Sequence, residues 1–238
     1  MAVDPVHPWW AMNKKITFRR PVGWPCKAAV VLILALACTP LVSLFADDSS
    51  EPPNTSTRHA VVKVENFSLL DHEGKLRELY RQNEARAIVL IFTGTGCPIA
   101  QKSVPKLKAL RDEFGSKGVV FWLIDSNAQD DLESIREEAV DFKIDLPILL
   151  DQSQVVAKFL GATRTAEAVC IQPKSWTVFY RGAIDDQFGY GTEKRWASHA
   201  YLKNALTSFL AGKKIATART DVKGCRFQFE PSGTAEKK

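Results

Sequence analysis

Residues 87–98 restrict the fold more than any other stretch. Residues 87–92 are an unbroken apolar run, rich in β-branched side chains and of strand length. Consecutive apolar positions suit a strand buried on both faces, the condition of a central parallel strand. Thr93-Gly94-Thr95-Gly96 breaks the run, and two glycines in four residues mark a tight turn. Pro98 then suits the first position of a helix, where a missing N–H costs nothing. Cys97 is therefore predicted at the junction of a central strand and a helix N-terminus. Free backbone N–H groups and the positive end of the helix dipole favour a thiolate there. Such a site needs no neighbouring base to make sulfur reactive.

The rest of the pattern alternates. Helix spacing over 98–114 puts Ala100, Val104, Leu107 and Phe114 on one face, with Pro105 expected to kink it and Gly115 and Gly118 to end it. Residues 119–124 read as a second buried strand. Residues 130–142 read as an amphipathic helix with acidic residues in its first turn. A short strand over 147–150 and a helix over 153–160, stopped by Gly161, follow. Residues 168–172 and 176–181 form a predicted hairpin around Pro173-Lys174-Ser175. A long closing helix carries Leu202, Ala205, Leu206, Phe209 and Leu210 and stops at Gly212. Upstream, 67–70 reads as a short strand, 71–75 as a turn and 76–83 as a short helix. The fold class is α/β, a central mixed sheet covered by helices on both faces.

Strand, tight turn, Cys-Pro and helix, with a parallel core first and an antiparallel hairpin and closing helix last, resembles the thioredoxin superfamily. The nearest resemblance is to the redoxin branch, the peroxiredoxin-like proteins related to alkyl hydroperoxide reductase and thiol-specific antioxidant proteins, over about residues 60–212. Gly96-Cys97-Pro98-Ile99-Ala100 resembles the Cys-x-x-Cys redox motif, with Ala100 at the place of the second cysteine. Where peroxiredoxins carry Thr and Pro, three and seven residues before the nucleophile, this chain has Gly94 and Leu90. Pro105 matches the helix-kinking proline of many relatives. Residues 161–167 fall where the superfamily places a cis-Pro loop, and Ala166 stands for the proline. A cis bond before alanine costs about 2.5–4 kcal/mol, so a trans bond is expected. Arg164 lies near the arginine that steadies the thiolate in peroxiredoxins. Residues 180–189 also resemble a redoxin sequence block.

The resemblance implies Cys97 as nucleophile, a peroxide or a protein disulfide as substrate, and a thiol reductant or redox partner protein, with no cofactor. Peroxide reduction through a sulfenic acid is the first reading. Thiol–disulfide exchange and a binding module without turnover are the alternatives. Cys225, in a tail after the last helix, reads either as a resolving cysteine for Cys97 or as an incidental thiol. The tail has few apolar residues before Val222, so it is expected to move freely. Cys170, mid-strand between Val169 and Ile171, reads as an inert core thiol. His7, His59, His72 and His199 have no ligand-like spacing with any cysteine, so no metal site is expected. Asp185-Asp186 reads as an exposed loop.

Four segments follow: 1–46 a signal or membrane anchor, 47–59 a polar linker, 60–212 the thioredoxin-like domain and 213–238 a C-terminal tail. Lys14, Lys15, Arg19, Arg20 and Lys27 precede the apolar residues 28–36, and Asp47-Asp48 follow the apolar stretch that ends at Ala46. That order sends the domain across a membrane, to the periplasm or to the outer side of an anchor. The leader holds those five basic residues against Asp4, which leaves 27 basic and 26 acidic residues of the chain's 32 and 27 for the rest. Most of the net charge of +5 thus belongs to the leader, which carries +4 against +1 for the rest, and no nucleic-acid surface is implied.

Overall fold

The computed structural model describes residues 63–229, all within a unit spanning residues 56–238. The signal or anchor segment and the linker up to residue 59 lie outside the described residues. Among the described residues, no helix is long and apolar enough to cross a membrane.

The domain opens with an antiparallel hairpin, β1 (Ser68–Leu70) and β2 (Leu76–Glu78). Asp71 builds its turn: the buried carboxylate accepts the N–H groups of Glu73 and Lys75 and pairs with Arg77 at 2.8 Å. The helix predicted over 76–83 is replaced by β2 and one 3-10 turn, Leu79–Gln82. The hairpin pairing takes the first three residues, and of the turn only Leu79 is buried, too little apolar surface to hold a helix.

β3 (Ala87–Thr93) is buried at every position. It leads through residues 94–97 into α1 (Pro98–Gly115), then β4 (Val119–Asp125) and α2 (Leu132–Asp141). Next come β5 (Ile148–Leu150), α3 (Val155–Leu160), β6 (Glu167–Gln172) and β7 (Thr177–Ala183). A small hairpin of β8 (Phe188–Gly189) and β9 (Thr192–Glu193) precedes α4 (Tyr201–Leu210). The central sheet has the order β5-β4-β3-β6-β7: β3, β4 and β5 run parallel, β6 antiparallel to β3, and β7 antiparallel to β6.

Period-two alternation along β3 divides the core. Ala87, Val89 and Ile91 face α1, α2 and α4, while Ile88, Leu90 and Phe92 face α3 and the opening hairpin. That is why the run is apolar throughout: each buried Ile, Leu or Phe stabilises the fold by about 1.5–3 kcal/mol, and no position meets water. Pro105 lies inside α1. α2 starts later than predicted because Asp131 is its N-cap, accepting the Ser134 N–H at 2.8 Å, while Asp130 turns inward. α3 likewise starts at Val155, where the buried Asp151 carboxylate accepts the N–H groups of Val156 and Ala157. The closing helix, predicted to be long, has ten residues. Asp185 and Asp186 are half-buried and structural: Asp185 pairs with Lys106, and Asp186 accepts the N–H groups of Ser198 and His199 just before α4.

The tail is pinned in two places, against the expectation that it moves freely. It first runs along β7, where Arg181 donates to the Ala218 carbonyl at 2.9 Å and accepts from Thr220 at 3.1 Å. It then crosses to the loop after α3, where Arg164 and Arg226 form an antiparallel bridge. Phe227, only 6% exposed, inserts into the core with its ring 6.0 Å from that of Phe92. Sparse apolar content misled because one well-placed aromatic and a few backbone hydrogen bonds suffice to dock a strand.

Candidate active site

Cys97 is the N-cap residue of α1, in extended conformation, with Gly96 ahead of it at a φ of +74°. Only glycine adopts that φ without strain, so the turn predicted from the two glycines is a requirement of the backbone. The sulfur-bearing residue is 2% exposed. The expected free N–H groups are largely taken: Thr95 donates to Asp130 at 2.7 Å and Gly96 to Glu138 at 2.6 Å. Glu138, on α2, also accepts from Gln101 at 3.0 Å and so ties the loop to two helices.

What steadies the sulfur comes mainly from other parts of the chain. Burial pushes the Cys97 thiol up, but the polar groups beside it, the Thr165 hydroxyl foremost and then the Ala100 N–H and the thiol and N–H of Cys225, outweigh it and leave the pKa below its usual value. The Thr165 hydroxyl lies 2.9 Å from the sulfur and accepts the Cys225 N–H at 2.9 Å. Its single proton is then free to point at the sulfur. Cys225 is the converse case: burial, its bond to Cys97 and the Cys97 charge push its thiol up to about 11. Of the two, Cys97 is therefore the sulfur that ionises more readily, and Cys225 the one that holds its proton. Both are unbridged, Cys97 buried and Cys225 exposed.

Arg164, expected to steady the thiolate, is engaged elsewhere. Its guanidinium donates to the Tyr190 hydroxyl at 2.7 Å and the Gly224 carbonyl at 3.1 Å. The hydrogen bond to sulfur comes from its neighbour Thr165. Sequence reasoning reached the loop of 161–167 but passed over Thr165, whose only signal was its place in that loop. Tyr190 was missed as well, one residue beyond the block 180–189. Its hydroxyl donates to the Gly224 carbonyl at 2.6 Å and accepts the Gly224 N–H at 3.1 Å.

Two departures from the family pattern have local causes. Ala166 has a φ of +58° and donates its N–H to the Phe92 carbonyl at 2.7 Å. Proline, with φ fixed near −65° and no N–H, does neither. A side chain at Gly94 would meet Asn127 Cγ and Thr165 Cγ2 at 3.1 Å, with the Asn127 amide nitrogen closer still. Asn127 thus fills the space where a threonine side chain would sit. Its amide donates to Asp130 at 3.0 Å, and its N–H donates to Asp125 at 3.0 Å. Burial, then the charge of Asp130, pushes Asp125 up to about 8. Cys170 is fully buried, and burial alone raises its pKa well above the usual value.

A cysteine at the junction of a central strand and a helix, in a sheet of order β5-β4-β3-β6-β7 with antiparallel β6 and β7, defines a thioredoxin-like protein of the redoxin type. The chain matches the AhpC/TSA family over residues 62–187 and belongs to it, and with it to the thiol oxidoreductases. It is 30% identical over 131 residues to thiol-disulfide oxidoreductase ResA of Halalkalibacterium halodurans, covering 55% of this chain and 69% of that one. Two crystal structures share the fold at 24% identity. A hypothetical protein from Sinorhizobium meliloti has a TM-score of 0.64, covering 73% of this chain and 95% of its own. An uncharacterized conserved protein from Geobacillus kaustophilus has a TM-score of 0.65, covering 73% and 93%.

Proposed function

We propose that Cys97 reduces a peroxide and that Cys225 resolves it within the same chain. The observation that carries this reading is that the two cysteines share one partner, the Thr165 hydroxyl, which lies 2.9 Å from the Cys97 sulfur and accepts the Cys225 N–H at 2.9 Å. The Cys97 thiolate attacks one peroxide oxygen, the O–O bond breaks, and the leaving oxyanion takes a proton. Cys97 becomes a sulfenic acid. Cys225 sulfur then attacks Cys97 sulfur, the S–O bond breaks, and the departing hydroxide leaves as water with the Cys225 proton. Two equivalents of an external thiol restore both cysteines through a mixed disulfide. Attack on Cys225 suits that step, since Cys225 is the exposed sulfur and Cys97, with the lower pKa, is the better leaving group. Arg164 serves this scheme by holding Gly224, the residue before Cys225.

Thiol–disulfide exchange on a protein is the second reading. It is favoured by the absence of any Arg164 hydrogen bond to the sulfur and by Gly94 at the threonine position, and ResA, by name, does such chemistry. Stopped-flow consumption of hydrogen peroxide, set against reduction of a model protein disulfide, separates the two. Faster peroxide turnover supports the first reading, and faster disulfide reduction the second. We also infer export of the domain, from the basic residues ahead of the apolar stretch 28–36. A reporter active only outside the cytoplasm, fused after Thr57, should be active; cytoplasmic activity alone would refute export.

A further inference from the structure

An edge of backbone beside a nucleophile is where an extended polypeptide adds as a strand, since its N–H and C=O groups supply affinity without regard to side chains. Residues 163–165 form such an edge next to Cys97. In this chain the edge is already occupied. Thr165 donates its N–H to the Cys225 carbonyl at 2.9 Å, Phe227 donates to the Thr163 carbonyl at 3.0 Å, and Arg164 bridges Arg226 in antiparallel register. The Cys225 N–H takes the Thr165 hydroxyl as well.

Three further contacts hold the occupant down. Tyr190 grips Gly224 through both its N–H and its carbonyl, and Arg164 adds a third bond to the same residue. Gly224 is pressed so closely on the loop that a Cβ would stand 2.8 Å from the Thr165 carbonyl carbon and 2.9 Å from its hydroxyl oxygen. Phe227 anchors the far end in the core.

We propose that residues 222–227 are a built-in strand that fills the peptide-binding edge beside Cys97, so that the folded site accepts small oxidants and excludes an extended polypeptide disulfide until the strand lifts at Tyr190. The edge itself is a binding site for an extended peptide, exposed only in the lifted state. The gate rests on the proposed function only in taking Cys97 as the reactive sulfur.

The test uses the full-length chain carrying Cys225→Ser, with modification read at the Cys97 peptide by mass spectrometry. Iodoacetamide is the small probe. An extended ten-residue peptide bearing a pyridyl disulfide is the large one; the Cys97 thiolate forms a mixed disulfide with it and releases pyridinethione. Gly224→Ala, added to this background, wedges the strand off the loop without touching the core, and Tyr190→Phe releases the latch. Each should raise the peptide rate relative to the iodoacetamide rate by about tenfold, the effect of one or two lost hydrogen bonds. If Gly224→Ala fails to fold, Tyr190→Phe alone decides. An unchanged ratio with rapid iodoacetamide labelling overturns the gate and leaves the proposed function standing. A Cys97 inert to iodoacetamide overturns both. A raised ratio in this background, together with no Cys97–Cys225 disulfide in the wild-type chain treated with peroxide, supports the gate and removes the resolving role.

Discussion

Thr165 holds its hydroxyl oxygen 2.9 Å from the sulfur of Cys97, although 68 positions separate the two in sequence. The same oxygen accepts the N–H of Cys225, so the chain runs from backbone donor through hydroxyl to sulfur. Hydrogen bonding to the charged form of an acid lowers its pKa, which is how a residue only 2% exposed keeps a depressed thiol pKa despite the cost of burial.

Removing that hydroxyl should therefore raise the Cys97 pKa. Thr165→Val keeps the shape and loses the donor. At a pH below the thiol pKa of both proteins, as the titration locates it, iodoacetamide labelling of Cys97 should slow by about tenfold, with less effect once both are ionised at high pH. Thiolate absorbance titration of wild type and variant checks the direction. An unshifted titration would leave Thr165 with a purely structural role.

Asp125 gives a pH-dependent prediction about stability. Its folded pKa, about 8, lies well above the ordinary carboxylate value of 3.8 because of burial and the Asp130 charge. Between these values the folded state keeps a proton that the unfolded state releases. The stability associated with protonated Asp125 is thus complete below about pH 4 and lost as pH rises toward 8. Asp125→Asn should raise Tm by roughly 5 °C at pH 8 and by much less at pH 5. Thermal unfolding at both values measures it; an equal shift at the two would contradict the assignment.

The tail's docking has an energetic consequence. Phe227→Ala leaves a cavity against Phe92, and should cost roughly 3 kcal/mol, or about 8 °C in Tm. We expect residues 60–212 to fold alone with cooperative unfolding, at a lower Tm than residues 60–229. Equal melting of the two fragments would mean that the tail adds nothing to the domain.

The parts of the fold legible in sequence were those encoded locally. Residues 87–92 announced a strand buried on both sides, and Gly96 and Pro98 fixed where it turns into a helix. The position of Cys97 followed. The hairpin at 67–78 was half-legible, because the Asp71 turn extends pairing into residues that also suit a helix. The environment of Cys97 was not legible. Thr165, Tyr190 and Gly224 are ordinary loop residues until the tail crosses from β7 to the loop after α3, and no local pattern encodes that crossing. For the same reason the backbone N–H groups of Thr95 and Gly96 looked available to the thiolate. Asp130 and Glu138 claim them only once α2 has packed beneath the loop.

As proposed, Cys97 and Cys225 form one redox couple. The direct measurement treats the purified full-length protein with one equivalent of hydrogen peroxide, blocks free thiols and maps disulfides by mass spectrometry. A Cys97–Cys225 peptide should appear in wild type and be absent from Cys225→Ser, where Cys97 proceeds to sulfinic acid. Hyperoxidised Cys97 in the wild-type protein, with Cys225 still alkylated, would contradict it.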